Sequence, residues 1–77
     1  MLKVLVKQRE VERFLTRHNL SQNAFAERLG ISSGYMSQLM RGTRYPSAEL
    51  RAKIIRSLKY INFDEIFVIV DDGELKS

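Results

Sequence analysis

Between Leu20 and Ser47 the chain carries side chains suited to binding rather than to reacting. Ser32, Ser33, Gly34, Ser37 and Gln38 are small or amide-bearing, with no carboxylate, imidazole or thiol among them. A helix with such a face can approach a flat hydrogen-bonding surface closely. A glutamine amide presents a donor and an acceptor side by side, the pattern that fits the major-groove edge of adenine, and a serine hydroxyl serves either kind of base edge. Just downstream, Arg41, Thr43, Arg44 and Tyr45 supply two guanidinium groups and two hydroxyls, and Gln22 lies upstream. Groups of this kind hold phosphate oxygens, which fixes register without reading sequence. The chemistry on offer is recognition of a polyanion with hydrogen-bonding edges.

The surrounding pattern supplies the elements to position these groups. Val11, Phe14 and Leu15 recur at helical spacing from about Gln8 to His18, with Asn19 able to take the left-handed conformation that stops a helix. Ser21 reads as the N-cap of a second helix whose inner stripe is Phe25, Ala26 and Leu29, and Gly30 ends it. Ile31 is expected to plug the turn. Ser32 caps a third helix, about 32–41, with Met36 and Leu39 inward, and Gly42 stops it. Thr43 to Pro46 reads as a loop because the residue before a proline is pushed toward extended geometry. Ser47 caps a fourth helix bearing Leu50, Ile54, Ile55 and Leu58. Asn62 to Glu65 has the spacing of a capping box and predicts a short fifth helix with Phe63 and Ile66. The expected core is Phe14, Leu15, Leu20, Phe25, Leu29, Met36, Leu39, Leu50, Ile54 and Phe63.

The ends differ in kind. Leu2–Val6 and Phe67–Val70 are short runs rich in β-branched residues, and Asp71-Asp72-Gly73 is a stop signal. Neither strand is stable alone, so the two are expected to pair with each other and staple helix 1 to helix 5. The alternative is that one of them adds an edge to a second subunit.

Composition narrows the function. The net charge of +4 is unevenly placed: residues 1–59 hold 12 of the 13 Lys/Arg and four of the nine acids, a balance of +8, whereas residues 60–77 carry −4. A basic body with an acidic tail, 68–77, suits a polyanion-binding face. Arg13, Arg17, Arg51, Lys53 and Arg56 read as ordinary solvent-facing charge. There is no cysteine and only one histidine, His18, which reads as a structural residue near a helix C-terminus. No metal site or cofactor is expected. No acid, base and nucleophile converge, so no catalysis is expected either. No apolar run approaches the ~18 residues of a membrane span. The expectation is one soluble, cytoplasmic domain over 1–77 with no small-molecule ligand.

Counted from Gln22 to Arg41, the central stretch is 20 residues long. Its small residue, Ala26, is fifth, its glycine, Gly30, ninth, and its apolar anchors, Met36 and Leu39, fifteenth and eighteenth. This pattern, with the Arg-Gly-x-Arg-x-Pro-Ser that follows, resembles the Cro/repressor-type helix-turn-helix family, the XRE family. The resemblance covers about residues 8–67. It implies an all-α, five-helix fold of lambda-repressor type, to which the residue pattern at the ends adds the two short terminal strands. It also implies a transcriptional regulator, a repressor of bacterial or phage type, that binds a double-stranded DNA operator as a homodimer. In the family the base-reading positions match Ser33, Gly34 and Gln38, with Ser32 and Ser37 at the margin. Repressors with glutamine or arginine at the places of Ser33 and Gly34 read more there, which leaves Gln38 as the main reader. Gln22 matches a phosphate-contacting glutamine, and Arg41, Thr43, Arg44 and Tyr45 fall in the loop laid along the same strand, with Tyr35 nearby. The competing expectation is a protein-binding adaptor, or an antitoxin, that works through its apolar C-terminal segment.

Overall fold

The computed structural model describes residues 1–59 and 62–71. Five helices and two strands follow in the order β1 (Leu2–Val6), α1 (Gln8–Arg17), α2 (Gln22–Leu29), α3 (Ser33–Arg41), α4 (Ala48–Leu58), α5 (Phe63–Ile66) and β2 (Phe67–Asp71). The fold is mostly helical, but "all-α" is not accurate, because β1 and β2 form a two-stranded antiparallel sheet from Leu2↔Asp71 to Val6↔Phe67. Of the expected acidic tail and strand stop, residues 72–77 lie outside the described residues.

Helix starts and stops follow local chemistry. Ser21, Ser32 and Ser47 each sit in extended backbone, with φ between −78° and −67°, and each hydroxyl oxygen accepts from the N–H three residues on, at 3.0–3.1 Å. That bond satisfies one of the donors a helix start leaves without a partner. Three helices stop alike. Asn19, Gly30 and Gly42 take positive φ of 53°, 73° and 77°. In each case the following N–H reaches back to the carbonyl five residues earlier: Leu20 to Leu15, Ile31 to Ala26 and Thr43 to Gln38, at 2.9–3.0 Å. These are Schellman stops, which satisfy the final carbonyls and turn the chain sharply. α5 departs from expectation, because Asn62 makes no side-chain cap to the backbone; its amide instead lies 3.5 Å from Glu65 Oε1.

Between these stops the apolar stripes close on one another. Val11 and Leu15 of α1, Phe25, Ala26 and Leu29 of α2, Met36, Leu39 and Met40 of α3, and Leu50, Ile54 and Leu58 of α4 are buried with Val6, Ile66 and Phe67. Phe14, Leu20, Ile31, Ile55 and Phe63, expected inside, are only partly buried and pack on the outside of this cluster. Phe67, and not Phe63, is the buried ring at this end of the chain; the two rings meet at 4.9 Å. The sheet is fastened to the helices as well, since Lys7 donates its backbone N–H to Ile66 O and its ammonium to Asp64 O.

Two glycines should respond oppositely to a methyl group. An added Cβ at Gly30 would meet nothing within 4 Å, so only its positive φ opposes substitution. Gly34 lies inside α3, where the same atom would meet Ser32 Oγ at an ordinary 3.9 Å. Gly30→Ala is therefore expected to lower stability by about 1 kcal/mol and Gly34→Ala to raise it by about 0.5 kcal/mol, measured by thermal or urea unfolding.

Candidate nucleic-acid interface

α2 and α3 are joined by a three-residue turn, Gly30 to Ser32, and pack directly on each other. Ala26, 2% exposed, leaves room for that approach. With Met36, Leu39 and Met40 inward, the opposite side of α3 is fixed by the helical period. Ser32, Ser33 and Gly34 are exposed at its start, and Ser37 and Gln38 are half-buried one turn on. The Ser32 hydroxyl oxygen already accepts from the Tyr35 N–H, so this residue is the N-cap whatever else it does.

The loop after α3 is ordered by contacts the spacing of residues did not reveal. Thr43 donates both its backbone N–H and its hydroxyl to the Gln38 carbonyl, at 3.0 and 3.2 Å. Pro46 is buried, and its carbonyl accepts from the Arg51 guanidinium at 3.0 Å. Arg51 is thus not the plain solvent-facing charge its sequence position suggests. It ties α4 to the loop, and only its five-residue separation from Pro46 hinted at this. Lys3 of β1 places its ammonium 5.2 Å from the centre of the Tyr45 ring, linking the sheet to the same loop.

Three of the singled-out residues come together. The Arg44 guanidinium lies over the Tyr35 ring, 3.9 Å from its centre, and donates to Gln38 Oε1 at 3.2 Å. Tyr35 and Gln38 are one turn apart on α3, so a residue beyond the helix end folds back to bridge them. Arg41, Thr43 and Tyr45 are exposed around this cluster, and Gln22 stands apart, half-buried in the first turn of α2. There the first N–H groups lack intrahelical acceptors, an arrangement that favours an anion. His18, exposed at the end of α1, lies against Phe14 with ring centres 4.1 Å apart and planes tilted by 31°. Among the described residues no group of His, Asp or Glu is arranged to hold a metal ion, and no helix is long and apolar enough to cross a membrane.

The surface so built can place small polar side chains of α3 against base edges while guanidinium and hydroxyl groups of the loop lie beside them. Removing the brace beneath the loop should loosen it. Arg51→Met keeps the apolar stem and deletes the donor, and is expected to lower stability by about 0.5–1.5 kcal/mol. Limited trypsin digestion should then cut faster after Arg44 than in the parent chain.

Comparison with known proteins agrees with this geometry. A model of the helix-turn-helix family matches residues 11–66. Two curated proteins from two strains of Mycobacterium tuberculosis, each named an uncharacterized HTH-type transcriptional regulator, are 42% identical to the chain over 41 residues. That stretch is 53% of this chain and 29% of each relative, so the chain spans less than a third of their length. No solved structure matches the chain significantly.

Proposed function

The chain belongs to the helix-turn-helix family, in its XRE-type branch, and we propose that it is a sequence-specific regulator of transcription that lays α3 in the major groove of duplex DNA. The observation that carries this reading is the face of α3: Ser33 and Gly34 are exposed and Ser37 and Gln38 half-buried, outside the buried stripe of Met36, Leu39 and Met40, and Arg41 at the helix end is followed at once by Thr43, Arg44 and Tyr45 on a hydrogen-bonded loop. Base edges are read by the first group, with Gln38 foremost and Ser32 at the margin. Phosphates are held by the second group, by Gln22 and by the Tyr35 hydroxyl. Its target places it in the cytoplasm, and no cofactor enters the scheme.

One module reads only a few base pairs, so the chain acts as a homodimer on an operator with two half-sites about one DNA turn apart. The sheet supports this. Leu2 and Ile69, 68% and 52% exposed, share one face, and Val68, 40% exposed, lies on the other. Exposed apolar groups on a two-stranded sheet suit a second copy. The same surface would serve a protein-binding adaptor, the reading that takes over if DNA binding is absent, or an antitoxin that binds both its operator and a toxin.

Three measurements test the scheme. Affinity for a duplex selected from random sequence should fall by about 0.9 log unit per phosphate contact for each decade of salt, with about four to six contacts per subunit. Gln38→Ala should cost about 1–3 kcal/mol on that duplex while leaving non-specific binding nearly unchanged. Undetectable binding at low salt would sink the DNA reading. For the dimer, Ile69→Lys should leave the fold intact yet shift sedimentation on a two-site operator toward one copy bound. Two copies still bound would remove the sheet from the interface.

A further inference from the structure

Arg44 was expected to meet phosphate alone, yet the structure puts its guanidinium on Gln38 and Tyr35. We infer that Arg44 is a positioning residue for Gln38: braced on the Tyr35 ring, it fixes the direction of the Gln38 amide and so sets how sharply the chain discriminates at the base pair Gln38 reads. This rests on the reading of α3 as the groove-facing helix and goes beyond it, from which residue reads to what makes it selective.

The chemistry leaves little choice of arrangement. A guanidinium is a donor only, so the amide atom turned toward it is the oxygen, Oε1, and Nε2 is turned away. An unrestrained glutamine amide samples both faces of its broad terminal torsion. Bidentate contact with adenine needs one face: Nε2 donating to N7 while Oε1 accepts from N6. An amide oxygen has two lone pairs, so Oε1 can keep Arg44 and still accept from the base. Arg44 in turn is held from two sides. Tyr35 is half-buried against the core, which makes its ring a fixed platform, and Thr43, next to Arg44, is tied to the Gln38 carbonyl by two hydrogen bonds.

One guanidinium N–H is engaged with Gln38, and the group has others in a planar fork. Arg44 can therefore hold the amide and a backbone phosphate together, coupling the register of the strand to the reading of the base. Lysine carries the same charge but neither stacks as a plane nor offers a fork, so it keeps phosphate attraction without the brace. That difference separates positioning from plain electrostatics.

The test compares the parent chain, Arg44→Lys, Tyr35→Leu, Gln38→Ala and the Gln38→Ala/Arg44→Lys double variant. Each is titrated on the selected duplex, on its single-base-pair variants and on random duplex, with circular dichroism confirming the fold. Because Arg44 also holds phosphate, any uniform change that Arg44→Lys makes in affinity is read from random duplex and divided out, so that the readout is the ratio between base pairs. The preference of Arg44→Lys at the base pair where Gln38→Ala relaxes selection should fall about two- to tenfold, the span of one net hydrogen bond. Tyr35→Leu should do the same, and in the Gln38→Ala background Arg44→Lys should change nothing at that pair. The inference is overturned if Arg44→Lys leaves or sharpens that preference while Gln38→Ala still relaxes it; the DNA reading then stands. It is equally overturned if Gln38→Ala relaxes no base pair. Loss of all duplex binding by the parent chain removes the functional reading itself.

Discussion

The path of this chain depends on how its helices are stopped. Asn19, Gly30 and Gly42 each adopt positive φ, and each is followed by a backbone N–H that returns to a carbonyl five residues back. A helix without such a stop would leave its final carbonyls unsatisfied and its direction of exit undefined. The stop at Gly30 decides where α3 leaves α2, and Ser32 begins the next helix two residues later. The stop at Gly42 decides where the loop leaves α3. It is the reason that Thr43 meets the Gln38 carbonyl and that Arg44 lies within reach of the Gln38 side chain.

Packing converts those directions into a rigid presentation. Leu39 is wholly buried and Met36 is 1% exposed, so α3 cannot rotate without opening the core. In a chain this small, filling a few sites such as those of Phe25 and Phe67 supplies much of the stability, at roughly 2–3 kcal/mol for each ring fully buried. The sheet adds a closure between the two ends of the described chain, and through Lys3 and Tyr45 it also touches the loop beside α3. The polar face is therefore supported by α2 and β1, which pack on α3, while the loop after it is tied to α4 through Arg51 and Pro46.

Features written in a few adjacent residues were legible in the sequence. The serine caps, the left-handed stops and the break at Pro46 depend on three to six neighbouring positions, and each took the expected form. Asn62 did not cap as its spacing suggested, because its amide turned to the Glu65 carboxylate instead. Burial was read less well where it depends on distant partners. Met40 and Phe67 are inside because β1 and α5 close over them, whereas Phe14 and Phe63, at similar helical spacing, are left at the margin. The polar face of α3 was legible from its residue types. The bridge from Arg44 to Gln38 and the brace from Arg51 to Pro46 were not, since long side chains crossing a helix boundary leave no periodic trace.

The proposed function requires that the face of α3 and the loop after it, and not the sheet, meet duplex DNA. Backbone amide chemical-shift mapping by nuclear magnetic resonance, with a selected duplex titrated into the isotope-labelled chain, tests this most directly. The largest changes are expected at residues 32–38 and 41–45, with a separate set at Gln22 in the first turn of α2. Changes confined to β1 and β2, with α3 silent at saturating duplex, would contradict it.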